Sequence, residues 1–427
     1  MGRFFCETFK QNFKYFKGLI VNINSQNLIK SIPTPLKPVH KFIAMQEGDS
    51  GLSHIRFIQD TATNMVPKAV FARSKADLAD MSFLEVTESI LVYYFPSLFG
   101  EKIFRKAYGK GLSESLKSKI ATPATELLKN KDSEETKKLM PVKAAIALSC
   151  MLIPLTEYTL NYVKNLFTLK IFKKADFDNI ANLNKEQKET LEKQEEVRKS
   201  AKRHIFGAFG AFLGCLAMSL LILKKGGSSK FLKGFSEFIL APGNKLFPKN
   251  QNKADFVNKY FSIDFANNNS KLGLSHGQLT SCVLIGGLGY FGAAKDRGKQ
   301  NFLEVLFRLP LVGFYVITGS ELLEKALKSF LHKKGMFKEL IDEKMNVPAL
   351  KALPELAEKL ALKNNSTVKT EFNKLFKQKA VVTMLPHIFS IGIMGFFVAG
   401  ISRFFTQYRY NKENNNKTPQ PIKTYMS

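Results

Sequence analysis

An all-α, polytopic membrane helical bundle with amphipathic extramembrane helices is the architecture expected of this chain, and three observations lead to it. Five stretches are long, apolar and nearly uncharged. The clearest, Ile205 to Leu223 (IFGAFGAFLGCLAMSLLIL), is bracketed by Lys202-Arg203 and Lys224-Lys225. Between the five, apolar residues recur at helical spacing with charges interleaved. A helix rises about 1.5 Å per residue, so roughly 20 apolar residues cross about 30 Å of hydrocarbon, and a buried soluble helix of that length seldom lacks a polar face.

In residues 1–30, Phe5, Phe9, Phe13, Phe16 and Ile20 recur at spacings of three and four, with Arg3, Lys10, Lys14 and Lys17 on the remaining arc. This is the pattern of a basic amphipathic helix lying in the headgroup plane with its phenylalanines inserted. Pro33, Pro35 and Pro38 then remove backbone donors and favour extended neighbours, so 31–54 reads as a linker. Residues 55–141 are amphipathic, with Asp60, Arg73, Asp77, Asp80, Glu85 and Glu88 among Phe57, Val70, Leu84 and Leu91, which predicts two or three packed helices. Within them, Ile90 to Phe99 is apolar enough to enter a bilayer but too short to cross it unless Glu85 and Glu88 go with it.

Residues 142–223 hold the first two candidate spans, Val142 to Leu169 and Ile205 to Leu223, joined by the charged run Asn182 to Lys202, a solvated helix. Residues 224–278 are basic and rich in Gly and Asn, and read as a loop with a short interfacial helix on the one apolar piece, Phe235 to Leu240. Residues 279–326 form a helical hairpin of spans three and four, Leu279 to Ala294 and Phe302 to Leu323, around the polar turn Lys295-Asp296-Arg297-Gly298. Charged amphipathic helices occupy 327–379. The fifth span, 380–405, contains Pro386, Gly392, Gly395 and Gly400, and the tail 406–427 has too little apolar content to fold.

The 427 residues carry a net charge of +28, but only ten are arginine, and lysine is spread over every connecting segment. Nucleic-acid surfaces concentrate and cluster arginine, so no nucleic-acid partner is expected. Dispersed lysine beside apolar spans fits anionic membrane lipids, at about 1 kcal/mol per residue held near the surface. Abundant Lys, Asn and Phe with no Trp also fits an AT-rich coding sequence. The expected location is an integral membrane one, the plasma or inner membrane. Both flanks of nearly every span are basic, so charge assigns no orientation.

Cys6, Cys150, Cys215 and Cys282 are far apart, without CxxC or Cys/His spacing, so neither a disulfide framework nor a metal site is expected. The six histidines show no ligand spacing either. The early apolar run Leu19 to Ile23 is too short for a cleavable signal peptide, and Cys6 stands where a myristoylation pattern needs Ser or Thr.

Gly287, Gly289 and Gly292 have GxGxxG spacing within VLIGGLGYFGAA, and over about a dozen residues this segment resembles the phosphate-binding turn of extended short-chain dehydrogenases. The resemblance implies a dinucleotide on a strand-to-helix turn. A Tyr-xxx-Lys pair is absent at a sensible distance, and Glu304 is nearer than the ribose-binding acid should be. Small residues that let helices approach explain the same glycines, and the pattern recurs: Gly207, Gly210 and Gly214 in the second span, Gly286, Gly289 and Ala293 in the third, and Gly392, Gly395 and Ala399 in the fifth. No cofactor is therefore expected. Phe83-Leu84-Glu85-Val86 recurs as Phe302-Leu303-Glu304-Val305, a match near chance for a chain of this length.

Ionisable residues inside apolar spans cost at least about 2.5–3.5 kcal/mol each and are usually retained for a reason. Glu157 with Asn161, and Glu304 with Arg308, are each four apart and share a helix face, near Pro154 and Pro310. Glu304 and Arg308 can neutralise each other, or all four can line a transport pathway. The expected function is a non-catalytic structural or interaction role at a lipid surface, alone, as a homo-oligomer or with a membrane protein partner. A small-solute or ion transporter or channel using these four residues is the rival, and an NAD-linked membrane enzyme comes third.

Overall fold

Residues 27–47, 52–183, 189–268 and 270–415 are described by the structure, a computed structural model. The basic helix carrying Phe5, Phe9, Phe13, Phe16, Lys10, Lys14 and Lys17 lies outside them. The described residues are helical nearly throughout, as expected. The exception is one antiparallel hairpin, β1 (Ala266–Asn268) and β2 (Lys271–Gly273), pairing Ala266 with Gly273. The principal helices are α1 (Lys37–Glu47), α2 (Leu52–Val70), α3 (Lys75–Phe95), α4 (Glu134–Ser149), α5 (Leu152–Phe172), α6 (Leu191–Lys225), α7 (Lys230–Leu240), α8 (Gln251–Phe261), α9 (His276–Asp296), α10 (Lys299–Phe314), α11 (Ser320–Lys333), α12 (Leu353–Asn364), α13 (Val368–Phe389) and α14 (Val398–Asn415).

Local chemistry sets many of these boundaries. Ser133, Thr190, Ser229, Asn250 and Thr367 each accept a backbone N–H at the start of α4, α6, α7, α8 and α13. Ser275 and Gln278 make a reciprocal capping box at the start of α9. Lys173 and Asn365 close α5 and α12 in the left-handed conformation. Gly298, at φ 115°, makes the turn between α9 and α10, where a side chain would be strained.

The chain divides into two compact units, 1–55 with 319–390 and 56–318 with 391–427. In the first, α1, α11, α12 and α13 enclose Ile43, Leu331, Leu340, Leu353, Phe372, Leu375 and Phe376. Lys379, buried in this unit, pairs with Glu47 at 2.6 Å and donates to the Pro348 carbonyl at 2.7 Å, which satisfies its charge. In the second unit, α5 is central and packs against α9, α6 and α3. A separate core beside it joins Ile120, Leu139, Ala144, Ile146, Ile222, Leu240 and Phe265 from α4, α6, α7 and the hairpin region.

Among the described residues, four helices are long and apolar enough to cross a membrane: 134–172, 191–225, 299–333 and 368–414. They contain the expected first, second, fourth and fifth spans. The expected third span becomes α9, which is not one of the four: Gln278, Thr280, Ser281 and its many glycines dilute its hydropathy. The four differ in what surrounds them. In the first, 72% of the apolar window is buried by the protein itself, and Cys150 and Met151 interrupt it between α4 and α5. In the other three the figures are 17%, 22% and 22%, so most residues of these windows are only partly covered or exposed. Along α6, Phe206 is 73% and Phe209 58% exposed.

Three expected boundaries change. The proline-rich 31–54 is not an extended linker: Thr34–Leu36 is a 3₁₀ turn and α1 begins at Lys37 with Pro38 in its first turn, where the missing N–H breaks no helical bond. The basic 224–278 holds the expected short helix at 235–240 within the longer α7, where Leu232, Ser236 and Leu240 form one buried face, and a second helix, α8, in place of loop. The tail does not unfold at 406, since α14 runs to Asn415, with Tyr410 packed on Phe177, Ala181 and Leu183 and Glu413 paired with Lys299 at 2.7 Å.

Candidate functional site: a polar chamber among apolar helices

Within the second unit, α2, α3, α5, α9 and α10 surround a cavity of about 110 Å³. Its apolar wall includes Leu84, Val92, Val283, Leu309 and Val312, and its polar wall is made by Asp60, Asn64 and Lys68 of α2, Glu85 and Glu88 of α3, Glu157 and Asn161 of α5, Tyr290 of α9 and Arg308 of α10. Three of the four ionisable or polar residues singled out in the apolar spans, Glu157, Asn161 and Arg308, therefore share one chamber.

Some of these groups satisfy one another. Asp60 accepts from Asn64 Nδ2 at 2.7 Å and from the Ser89 hydroxyl. Lys68 is ion-paired with Glu85. Burial nonetheless pushes the Asp60 carboxyl up and the Lys68 ammonium well below its ordinary value, the latter with help from Arg308. Glu88 is pushed up to about 7, first by burial and then by the Asp60 charge.

Other groups have no match. Asn161 Nδ2 donates to the Glu157 backbone carbonyl at 3.0 Å, but Asn161 Oδ1 and Glu157 Oε2 are buried without a hydrogen-bond partner. Both residues are only 3% exposed. Arg308 is 7% exposed, and among the described residues its guanidinium makes no hydrogen bond or close ion pair, although the Glu88 and Glu304 carboxylates attract it. Buried polar groups are ordinarily hydrogen-bonded, so three residues short of partners on one cavity mark a candidate binding site.

Glu304 is not in the chamber, although it lies one turn from Arg308. Its carboxylate accepts from Thr406 Oγ1 at 2.8 Å and faces Arg403 at 3.5 Å, while Arg403 also reaches Asp77 at 2.8 Å. Glu304 is thus paired chiefly with Arg403, with Arg308 a further attraction. A second network joins Asp80 to Arg297 through two bonds of 2.8 Å and to Lys164 at 3.8 Å, with Thr168 donating to the same carboxylate. Burial opposes ionisation of Asp80, but Arg297 and Lys164 outweigh it and hold the carboxyl below its ordinary value. At Asp77 burial wins over Arg403, and its value is raised. These two networks tie α3 to α5, α10 and α14, with Arg297 Nε and Arg403 Nη1 left buried without a hydrogen-bond partner.

The glycines separate into two environments. A Cβ on Gly289 would lie 2.6 Å from the Tyr158 carbonyl oxygen and 2.7 Å from its Cα, so α5 and α9 touch backbone to backbone there. Gly286 lies against Glu157, where a Cβ would come within 3.1 Å of Oε2, and Ala293 is fully buried. A Cβ on Gly395 would lie 2.6 Å from the Thr63 carbonyl oxygen, and Ala399 is buried. A Cβ on Gly207, Gly210, Gly214 or Gly392 would have nothing within 4 Å, so these glycines do not serve close packing among the described residues. Gly287, Gly289 and Gly292 all lie inside α9, not at a strand-to-helix turn, so the geometry that cradles a dinucleotide phosphate is missing there.

The chamber residues missed in the sequence lie on α2 and α3, which read as extramembrane because their charges recur at helical spacing. The available signal was the position of Glu85 and Glu88 immediately before the apolar Ile90 to Phe99. Among the described residues no group of three or more His, Cys, Asp or Glu side chains is arranged to hold a metal ion. Comparison with known proteins finds no protein-family model, curated protein or solved structure that matches the chain.

Proposed function

We propose that this chain is an integral membrane protein whose polar chamber binds and passes a small solute or ion. The observation that carries the reading is the convergence on one cavity of Glu157 and Asn161 from α5, each with a buried oxygen lacking a hydrogen-bond partner, and of Arg308 from α10. The poorly covered apolar windows of the helices at 191–225, 299–333 and 368–414 support lipid as their surroundings. Glu157 and Asn161 lie in 134–172 and Arg308 in 299–333, so polar groups of the chamber sit within two candidate spans, where a charge is otherwise only a cost. The dispersed lysines then meet anionic headgroups of a plasma or inner membrane.

The rival is a non-catalytic structural or interaction component at a lipid surface, for which the same exposed helices would be contact faces for another copy or a membrane protein partner. Reconstitution in liposomes separates the two. Under the proposal, uptake of a small polar solute or ion occurs and is lost in Glu157→Gln and Arg308→Gln. Absence of any flux across a panel of ions and small metabolites favours the structural role. Release of the native protein from vesicles by alkaline carbonate removes the membrane reading altogether.

A further inference from the structure

The chamber also carries information about what fills it. After internal pairing is discounted, Asp60 being held by Asn64 and Ser89 and Lys68 by Glu85, the groups left short of hydrogen bonds are of opposite kinds. Glu157 Oε2 and Asn161 Oδ1 are acceptors one helical turn apart on α5, and with Glu88 of α3 they make an acceptor-rich wall that calls for a hydrogen-bond donor carrying positive charge. The guanidinium of Arg308, on α10, is attracted by Glu88 and Glu304 but makes no hydrogen bond, and its planar fork of donors calls for a carboxylate or similar oxyanion. A simple cation would satisfy Glu157 and leave the Arg308 donors without an acceptor. A simple anion would do the reverse.

We infer that the occupant is a small zwitterion of amino-acid size, its ammonium bound by Glu157 and Asn161 and its carboxylate by Arg308. This deepens the solute-pathway reading above and rests on it for the claim of passage, though not for the claim of binding. Size agrees: about 110 Å³ is well below the roughly 300–1,000 Å³ of drug-sized sites, which limits the occupant to a handful of non-hydrogen atoms and excludes nucleotides and whole lipids. The apolar wall of Leu84, Val92 and Val312 leaves room for a short hydrocarbon linker or side chain between or beside the charged ends. Each end is recognised by a different helix, so both charges are needed for full affinity. Losing a hydrogen-bonded charged end leaves its protein partner buried and unmatched.

Calorimetric titration of the full-length wild-type protein in detergent tests this without any variant. The probes are glycine, alanine, β-alanine and γ-aminobutyrate, against ethylamine, propionate, sodium chloride and potassium chloride. At least one zwitterion is expected to bind at least 10-fold more tightly than ethylamine, propionate or either salt. Arg308→Gln should lower zwitterion affinity while leaving ethylamine binding within a few-fold, and Glu157→Gln should abolish the ethylamine response. Equal or tighter binding of ethylamine, propionate or an alkali cation overturns the inference, as does the absence of any zwitterion binding to folded wild-type protein. Liposome flux is read separately. Zwitterion binding without flux supports the ligand class while removing the transport role, and cation flux without zwitterion binding does the opposite.

Discussion

Alanine at Gly289 and alanine at Gly210 are the same chemical change, one added methyl in the middle of a helix, and the structure assigns them opposite signs. In a helix interior the change gains about 1 kcal/mol from backbone entropy. At Gly210 nothing lies within 4 Å of the new Cβ, so the gain stands. At Gly289 the methyl would sit 2.6 Å from the Tyr158 carbonyl oxygen and 2.7 Å from its Cα, where ordinary contact begins near 3.4 Å. The obstacle is backbone, so no side chain can swing aside, and α5 and α9 must part by roughly 1 Å over a close-packed contact. That overpacking costs up to about 3 kcal/mol, leaving a net loss of about 2 and a gap of about 3 kcal/mol between the two variants. A net loss of 2 kcal/mol is roughly a 30-fold fall in the folding equilibrium constant. Equilibrium unfolding in mixed micelles, followed by circular dichroism, reads both variants under one condition. A Gly289→Ala protein as stable as Gly210→Ala would refute the backbone contact between these helices, and with it the chamber wall that contact builds.

The other expectations are shorter. Asp80→Asn strips the carboxylate that receives two Arg297 bonds, and its loss should destabilise the second unit by about 3–5 kcal/mol; unchanged unfolding would show that Arg297 is neutralised elsewhere. Lys68→Met or Glu85→Leu alone should each be strongly destabilising, while the double variant recovers most of the loss, because only the singles leave a buried charge unpaired; additive losses would contradict the pairing. Glu88 faces Asp60, Lys68, Lys164 and Arg308, and its folded-state value is raised from 4.5 to about 7. The stability tied to its proton is therefore complete below pH 4.5 and is lost as pH rises through about 7. Glu88→Gln should flatten the profile of unfolding midpoint against pH across that window, and a wild-type slope retained in the variant would assign the effect to another group.

The runs Ile205 to Leu223 and Ala380 to Phe405 were legible as apolar helices because length and composition alone decide them. Which solvent surrounds each run was not legible. Val142 to Leu169 and Ile205 to Leu223 look alike in hydropathy, yet the first is largely enclosed by protein and the second mostly open, a difference set by tertiary partners. Pro38 was misread because proline forbids a helix interior but not a first turn. Gly214 and Gly289 are indistinguishable as spacing motifs, and only the neighbour, absent for one and backbone for the other, separates them. Glu157, Asn161 and Arg308 stood out because polar residues are conspicuous against apolar runs. Asp60 and Glu88 did not, since on an amphipathic helix a carboxylate has many unremarkable uses.

The ion-pair networks on α3 bear on how the chain can be made. Asp80 meets Arg297 across 217 residues of sequence, and Asp77 meets Arg403 across 326. At a synthesis rate of about 5–20 residues per second, Asp80 waits roughly 11–43 s for its guanidinium and Asp77 roughly 16–65 s. During that interval the nascent α3 carries Asp77 without Arg403 and Asp80 with Lys164 alone, so it cannot settle fully in an apolar environment until the later helices emerge. A chain arrested before Arg297 should accordingly be held by chaperones or degraded, and final docking of α3 should be among the last events of biogenesis.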